Sequence, residues 1–382
     1  MLDLRQEASY TKLMRYLICS LILMVAIVLL AKPTDPGVQQ KKYLLVAAVG
    51  DIMMGTTFPA QKLPPQDGEH LFQNMRERLK GADVVFGNLE GTLLDEGSTA
   101  KCAGQETSGT CYAFRMPTRY VNHLVKAGFN VVSTANNHTL DFGVEGERKT
   151  RASLQNALIQ PAAGKSIARF SVGRKKVAVA GFSFSRLEPP FPSVLDISGA
   201  RHVVKELKRE SDIVIVSFHA GPEGINALHV PEGSEFFAGE SRGETRRFAH
   251  EMVDGGADLL IGHGPHVLRG FEVYKNKLIT YSLGNFVTYA GISTQGVRGI
   301  SLILHASLDI ETGDLVWGKV VSLRLRNRGV PFEDGEHRAL KLVRRLSVDD
   351  FGPKNLLFED SGVFYPPHFF QETRAYFSPS GY

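Results

Sequence analysis

One pattern of apolar and polar positions recurs through most of the chain. A short run rich in Val, Ile and Leu stops abruptly at Gly, Asn, Asp, His or Ser. Tyr43–Val49 runs into Gly50-Asp51, Ala82–Phe86 into Gly87-Asn88-Leu89-Glu90, and Phe129–Ala135 into Asn136-Asn137-His138. Lys176–Phe184 ends in serines, Asp212–Phe218 in His219, Asp258–Gly262 in His263-Gly264-Pro265-His266, and Leu278–Gly284 in Asn285. Runs of this length with little alternation suit strands buried on both faces. Between them, Thr118–Ala127, Val144–Leu158, Ala200–Arg209 and Glu244–Asp254 are amphipathic with glycine nearby, which predicts helices. Strand alternating with helix predicts an α/β layered domain. The polar clusters then fall at strand ends, where sites form in such sheets.

From Gly299 the pattern changes. Ile300–Ile310 and Leu315–Leu325 are longer, partly alternating runs joined by Glu311-Thr312-Gly313-Asp314, a hairpin signal. Arg338–Leu346 reads as a basic helix, followed by an aromatic tail from Phe364 to Phe377. These parts are expected to cover the sheet rather than to form a second catalytic domain.

The front of the chain reads differently. Tyr16–Ala31 is uncharged and lies between Arg15 and Lys32. As a helix it spans roughly 24 Å, short of the roughly 30 Å hydrocarbon core, a deficit that snorkelling Arg15 and Lys32 can cover. A cleaved signal peptide is the competing reading, but Leu29-Leu30-Ala31 is a poor cleavage site, which favours an uncleaved signal anchor. Arg5, Lys12 and Arg15 precede it and place the N-terminus inside and the body outside the cytoplasm. The expected organisation is a cytoplasmic n-region (1–15), an anchor (16–31), a linker (32–42), the globular domain (43–325) and a C-terminal helix and tail packed on it (326–382).

Composition changes this picture little. With 43% hydrophobic and 22% charged residues, the chain is ordinary globular protein. The net charge is +4, and residues 1–42 carry six basic against three acidic side chains, so the body is nearly neutral. Such a body has no broad electrostatic footprint for nucleic acid. Three cysteines are too few for a disulfide scaffold. Cys102 and Cys111 bracket a Gly/Ser/Thr-rich stretch, well spaced for a loop-closing disulfide in an oxidising compartment, with free thiols as the alternative.

The chemistry-bearing residues at the run ends are Asp51, Asn88, Glu90, Asn137, His138, His219, His263 and His266. Carboxylate, amide and imidazole donors are the mixed ligand set of Mn, Fe or Zn, and one or two such divalent ions are expected. Two metals close together can clamp a phosphoryl group and generate a hydroxide nucleophile. The weaker alternatives are that Asp51 and Asn137 cap following helices or turns and that His219 is a satisfied core histidine. Glu223, Arg269 and Asn285 are candidates for lining the pocket.

The series Gly50-Asp51-Ile52-Met53, Gly87-Asn88-Leu89-Glu90, Asn136-Asn137-His138, His219-Ala220-Gly221-Pro222-Glu223, Gly262-His263-Gly264-Pro265-His266-Val267 and Tyr281-Ser282-Leu283-Gly284-Asn285-Phe286 resembles the motifs of CapA-type capsule and poly-γ-glutamate biosynthesis proteins. That family is a branch of the calcineurin-like metallophosphoesterases, and the resemblance covers roughly Leu45–Ile310. It implies a four-layer α/β/β/α sandwich with metals at the sheet edges. It also implies a membrane-anchored protein that works with capsule synthesis subunits on an anionic polymer. By position it implies Asp51, Glu90, Asn137, His219, His263 and His266 as metal ligands, and His138 as the histidine that protonates a leaving group in phosphoesterases. Met53 stands where the catalytic superfamily has histidine, and Asn88 where it has aspartate, so the resemblance leaves open both assembly and hydrolysis of a phosphoester.

Overall fold

The computed structural model describes residues 41–99, 101–102, 111–185, 187 and 191–367. Strands are numbered in chain order. The larger sheet runs β19 (Leu357–Phe358), β20 (Val363–Tyr365), β17 (Leu315–Arg326), β16 (Ile300–Asp309), β1 (Tyr43–Met53), β2 (Val84–Leu89), β5 (Val131–Ser133), β6 (Gln160–Ala162). In addition β15 (Asn285–Thr288) pairs with β1, and β18 (Val330–Glu333) with β17. The second sheet runs β13 (Phe271–Tyr274), β14 (Lys277–Thr280), β12 (Leu259–His263), β9 (Ile213–His219), β8 (Lys175–Ser183), β7 (Ala168–Val172). Two short ribbons, β3 (Thr92–Leu93) with β4 (Arg115–Met116) and β10 (Glu235–Phe237) with β11 (Glu240–Gly243), complete the strands.

Strand periodicity sorts the side chains into three apolar layers. From β1, Leu44, Val46 and Ala48 join Ile213 and Ile215 of β9 and Leu259 and Ile261 of β12 in a core between the sheets. The opposite face of β1, Ala47, Val49 and Ile52, meets Met75, Leu79, Tyr120, Leu124 and Leu154 from helical segments. On the outside of the second sheet, Val214 and Val216 meet Ala200, Val204 and Leu207 of the helix Ile197–Glu210 and Phe248, Ala249 and Met252 of the helix Thr245–Gly255. Both faces of each sheet are therefore covered, which is why the runs are continuously apolar.

Local chemistry sets the helix ends. Asp196 caps Ile197–Glu210 by accepting from Gly199 N–H at 3.0 Å. Gly128, at φ 91°, and Gly256, at φ 110°, close the helices Val121–Ala127 and Thr245–Gly255 in the left-handed conformation. The Glu311–Asp314 turn joins β16 to β17 as an antiparallel pair, and the helix Arg338–Phe351 extends five residues past its sequence-based end. It buries Ala339, Leu340, Val343 and Leu346 in the inter-sheet core.

Two expectations change. β1 does not stop at Gly50 but continues through Asp51 to Met53. Leu278–Gly284 is not one strand: β14 ends at Thr280, and the chain crosses to the larger sheet to open β15 at Asn285. The two changes have one cause. Asp51 N–H donates to Gly284 O at 2.9 Å, and a Cβ on Gly50 would lie 1.9 Å from that oxygen. Two glycines let the crossing segment lie directly on β1 and finish it as a strand.

The segment 16–31, expected to be an anchor, lies outside the described residues. Among the described residues no helix is long and apolar enough to cross a membrane.

Candidate metal centre

Strand pairing alone brings most of the site together. Asp51 is registered with Asn88 of β2 on one side and Asn285 of β15 on the other, while His263 of β12 is registered with His219 of β9. Glu90 follows β2, held by its N–H to Ile52 O at 2.9 Å. Asn137 and His138 follow β5 in a turn that Thr139 closes on itself. The Gly264-Pro265-His266 turn needs Gly264 at φ 114°, because a Cβ there would lie 2.8 Å from Ala220 O. His266 itself has φ 56°, a strained backbone for a non-glycine residue of the kind that clusters at functional sites.

The side chains converge. Asp51, Glu90 and His266 offer ligand atoms all within 4.8 Å of one another. His266 Nδ1 is 3.0 Å from Asp51 Oδ2 and 3.1 Å from Asn285 Oδ1, and His263 Nδ1 is 3.3 Å from Asp51 Oδ1. Glu90 Oε1 lies 3.7 Å from His266 Nε2, 3.9 Å from His138 Nε2 and 4.0 Å from His219 Nε2. Both Glu90 oxygens, His219 Nε2, both His263 ring nitrogens and Asn137 Oδ1 are buried without a hydrogen-bond partner among the described residues. Buried polar atoms are ordinarily satisfied. The types of these atoms, carboxylate, imidazole and amide, next to the Asp51–Glu90–His266 cluster, fit a divalent cation, whose bonds of roughly 2.0–2.2 Å to N and O would satisfy those that face it.

Electrostatics agree with that donor set. Burial pushes the Asp51 carboxyl up, but the hydrogen bond from His266 and the closeness of the His263 ring outweigh it and hold the group well below the carboxylate range. Burial pushes Glu90 well above that range, opposed by His266 and reinforced by Asp51, Glu223 and Asp141. Burial drives His219 well down. At His266 burial also lowers the pKa, yet the charge of Glu90 and the bond to Asp51 prevail and raise it to about 10. The pocket thus holds a proton at neutral pH that an incoming cation displaces.

His138 is oriented from behind. Its Nδ1 lies 2.8 Å from Asp141 Oδ2, and its ring packs on Phe114 with centroids 4.4 Å apart. Burial pushes its pKa down, with Asp141 opposing; the neutral ring donates Nδ1–H to Asp141 and leaves Nε2 as an acceptor toward Glu90. Lys101 pairs with Asp141 and donates to Asn137 O at 3.0 Å. Cys102 and Cys111 form a disulfide with Cα atoms 5.7 Å apart, and Cys102 packs with Leu94, Ala113 and Phe142. This arrangement keeps Lys101 on the turn that carries Asn137 and His138.

The remaining sequence-predicted residues lie close by in different roles. Asn88 Nδ2 donates to Asp51 Oδ1 at 2.9 Å while its Oδ1 accepts from Asn136, so it orients the aspartate. Asn285 braces His266. Glu223 pairs with Arg242. Arg269 is fully buried and turned to Glu235 and Ala227 O; a Cβ on Gly221 would lie 3.0 Å from its Nη1, so it underpins the loop after His219. Met53 points away: its sulfur accepts from Gly55 N–H, and its methyl occupies the space beside Gly291. In the sequence Asn136 stands only as part of a motif, with no role of its own, and Asp141 and Lys101 are not singled out. The spacing of Asp141, three residues past His138, was the one available signal. His123, His229 and His250 bond to Asp67 O, Asp350 and Glu272, outside the site.

Fold and site together define a two-sheet α/β protein with a buried carboxylate–imidazole pocket suited to a divalent cation. Residues 45–290 match the bacterial capsule synthesis protein PGA_cap family, and the chain belongs to it. It is 31% identical over 284 residues to the PGA biosynthesis protein CapA of Bacillus subtilis (strain 168), covering 70% of this chain and 69% of that protein. It is 31% identical over 271 residues to the capsule biosynthesis protein CapA of Bacillus anthracis, covering 65% of this chain and 61% of that one. A solved phosphatase from Mycoplasma pneumoniae aligns over 79% of this chain and 99% of its own, at 14% identity and a TM-score of 0.46.

Proposed function

We propose that the protein acts in synthesis, assembly or export of a capsular anionic polymer of poly-γ-glutamate type, on the outer side of a bacterial cell membrane that Tyr16–Ala31 spans once. Its four-layer α/β/β/α body, of the metallophosphoesterase kind, works through a divalent ion and alongside membrane subunits of the polymer machinery. Family membership supports the polymer role. The observation that carries the use of an ion is the set of polar atoms on Glu90, Asn137, His219 and His263 that are buried without a partner among the described residues, beside the Asp51–Glu90–His266 cluster. Asp51, Glu90 and His266 would hold the ion, with His219, His263 and Asn137 around them. A bound Mn, Fe or Zn ion supplies charge that holds carboxylate or phosphate oxygens, and Lewis acidity toward a phosphoester. The chain's own residues fix that chemistry: Asn88 and Asn285 orient Asp51 and His266, and Asp141 and Phe114 fix His138. Met53 turned away leaves the first motif without an imidazole, which favours binding over turnover.

The second reading, hydrolysis of a phosphoester in envelope material, is favoured by one feature. His138 keeps an oriented ring with Nε2 free to take up or hand on a proton beside Glu90. Elemental analysis after reconstitution with Mn, Fe and Zn, with phosphodiester turnover measured in parallel, separates the outcomes. Metal without turnover is expected. Turnover lost in His138→Ala while metal is retained would establish the second reading, and a parent protein that takes up no metal overturns both.

A further inference from the structure

Three cationic side chains stand around the pocket, and they differ in what neutralises them. Lys101 pairs with Asp141. Arg242 pairs with Glu223 and Glu240 and lies 4.1 Å over the Phe184 ring. Arg298, partly buried, forms no ion pair or side-chain hydrogen bond with a described residue.

Its position is nonetheless tightly determined. Asn285 Nδ2 donates to Arg298 O at 3.2 Å, while Asn285 Oδ1 lies 3.1 Å from His266 Nδ1, so one amide ties its backbone to a ligand ring. The guanidinium lies on Gly224, where a Cβ would come within 2.7 Å of Nη2. Gly224, at φ 98°, in turn donates its N–H to Pro265 O at 2.9 Å. Arg298 is therefore held from both ends against the turn that carries His263 and His266. The neighbouring carboxylate, Glu223, is already engaged by Arg242.

Charge counting gives this residue a task. Asp51 and Glu90 together balance one divalent ion, and the imidazole and amide donors are neutral. Among the described residues, Arg298 is then the cation next to the His263–His266 turn that no carboxylate neutralises. A guanidinium presents a planar fork of donors that matches carboxylate and phosphate oxygens.

We propose that Arg298 is the anion seat of this pocket, receiving in its fork a carboxylate or phosphate group of the ligand next to the ion. This rests on the cation-binding reading above and adds the residue that selects an anionic ligand. The test uses the full chain, purified in detergent and loaded with Mn, in titration calorimetry with two probes, inorganic phosphate and a short γ-glutamyl oligomer. Arg298→Gln is expected to weaken whichever probe binds by roughly tenfold, the scale of one charge-assisted hydrogen bond, with Mn affinity unchanged. Arg298→Lys should recover part of the loss. A loss for phosphate alone assigns a phosphoester-type ligand, and a loss for the oligomer alone assigns polymer carboxylates. Arg298→Gln binding both probes as well as the parent overturns the inference, as does a loaded parent that binds neither. Failure of the parent to load Mn refutes the cation reading instead.

Discussion

Asp51 and His266 show how single residues set the pocket's behaviour. Because His266 is protonated up to about pH 10 by its carboxylate neighbours, metal and proton compete for the same nitrogens. Apparent metal affinity should therefore rise with pH across the neutral range, with protons released as the ion binds. Calorimetry in buffers of different ionisation enthalpy counts the protons released, and heat that does not depend on the buffer would overturn this competition. In the metal-free protein the sign reverses. The folded pKa lies above the ordinary 6.5, so this group's stabilisation is full below pH 6.5 and is lost as pH rises through about 10. Glu90→Gln keeps the shape but removes a charge and should weaken metal binding by tenfold or more, on the order of one ligand bond's electrostatics. Asp141→Asn should spare metal binding and disturb only proton transfer at His138. Motif residues such as His263 and Asn137 were legible one by one in the sequence. Lys101 and Arg298 were not, because their meaning lies in partners far along the chain, which local spacing does not encode; Asp141 offered only its place three residues past His138.

At the level of strands, the repeated apolar runs were readable because both faces of each sheet are covered. Their ends were less so. A run such as Leu278–Gly284 carries no local sign that its two halves belong to different sheets; the switch is written in Gly50 and Gly284, whose close approach is a tertiary fact. The same contact gives a prediction. Gly50→Ala would press a methyl group into Gly284 O, at a cost of about 1–3 kcal/mol, typical of overpacking, and would displace Asp51 and weaken metal binding. Gly81→Ala, at φ 88° with nothing within 4 Å of the new methyl, should cost about 1–2 kcal/mol of backbone strain and leave metal binding alone. Urea unfolding and metal titration of the two variants make the comparison. Equal metal affinity in both would show that the crossing segment does not position the site.

Across the whole molecule, the donors divide between the sheets. Asp51 lies in the larger sheet and Glu90 and Asn137 follow its strands, whereas His219 and His263 lie in the second sheet and His266 follows one of its strands. A bound ion therefore couples the two sheets, and at a hundredfold excess over its Kd it should add about 2.7 kcal/mol to stability. Thermal unfolding with and without Mn reads this, and an unchanged midpoint at saturating Mn would argue against a site shared by both sheets. The location of the body is testable at the same scale: a reporter active only after export, fused at residue 45, should be active. The pairing of β1 also fixes an order of events. Tyr43, near the start of the globular part, pairs with Asp309, and Asp51 with Asn285, so the first strand has β2 early but waits for the last third of the chain for β15 and β16. No half-made chain offers the six donors together. An ion bound there would consequently come from whichever compartment the finished chain folds in, and the supply of metal in that compartment would weigh on its identity alongside the ranking of affinities.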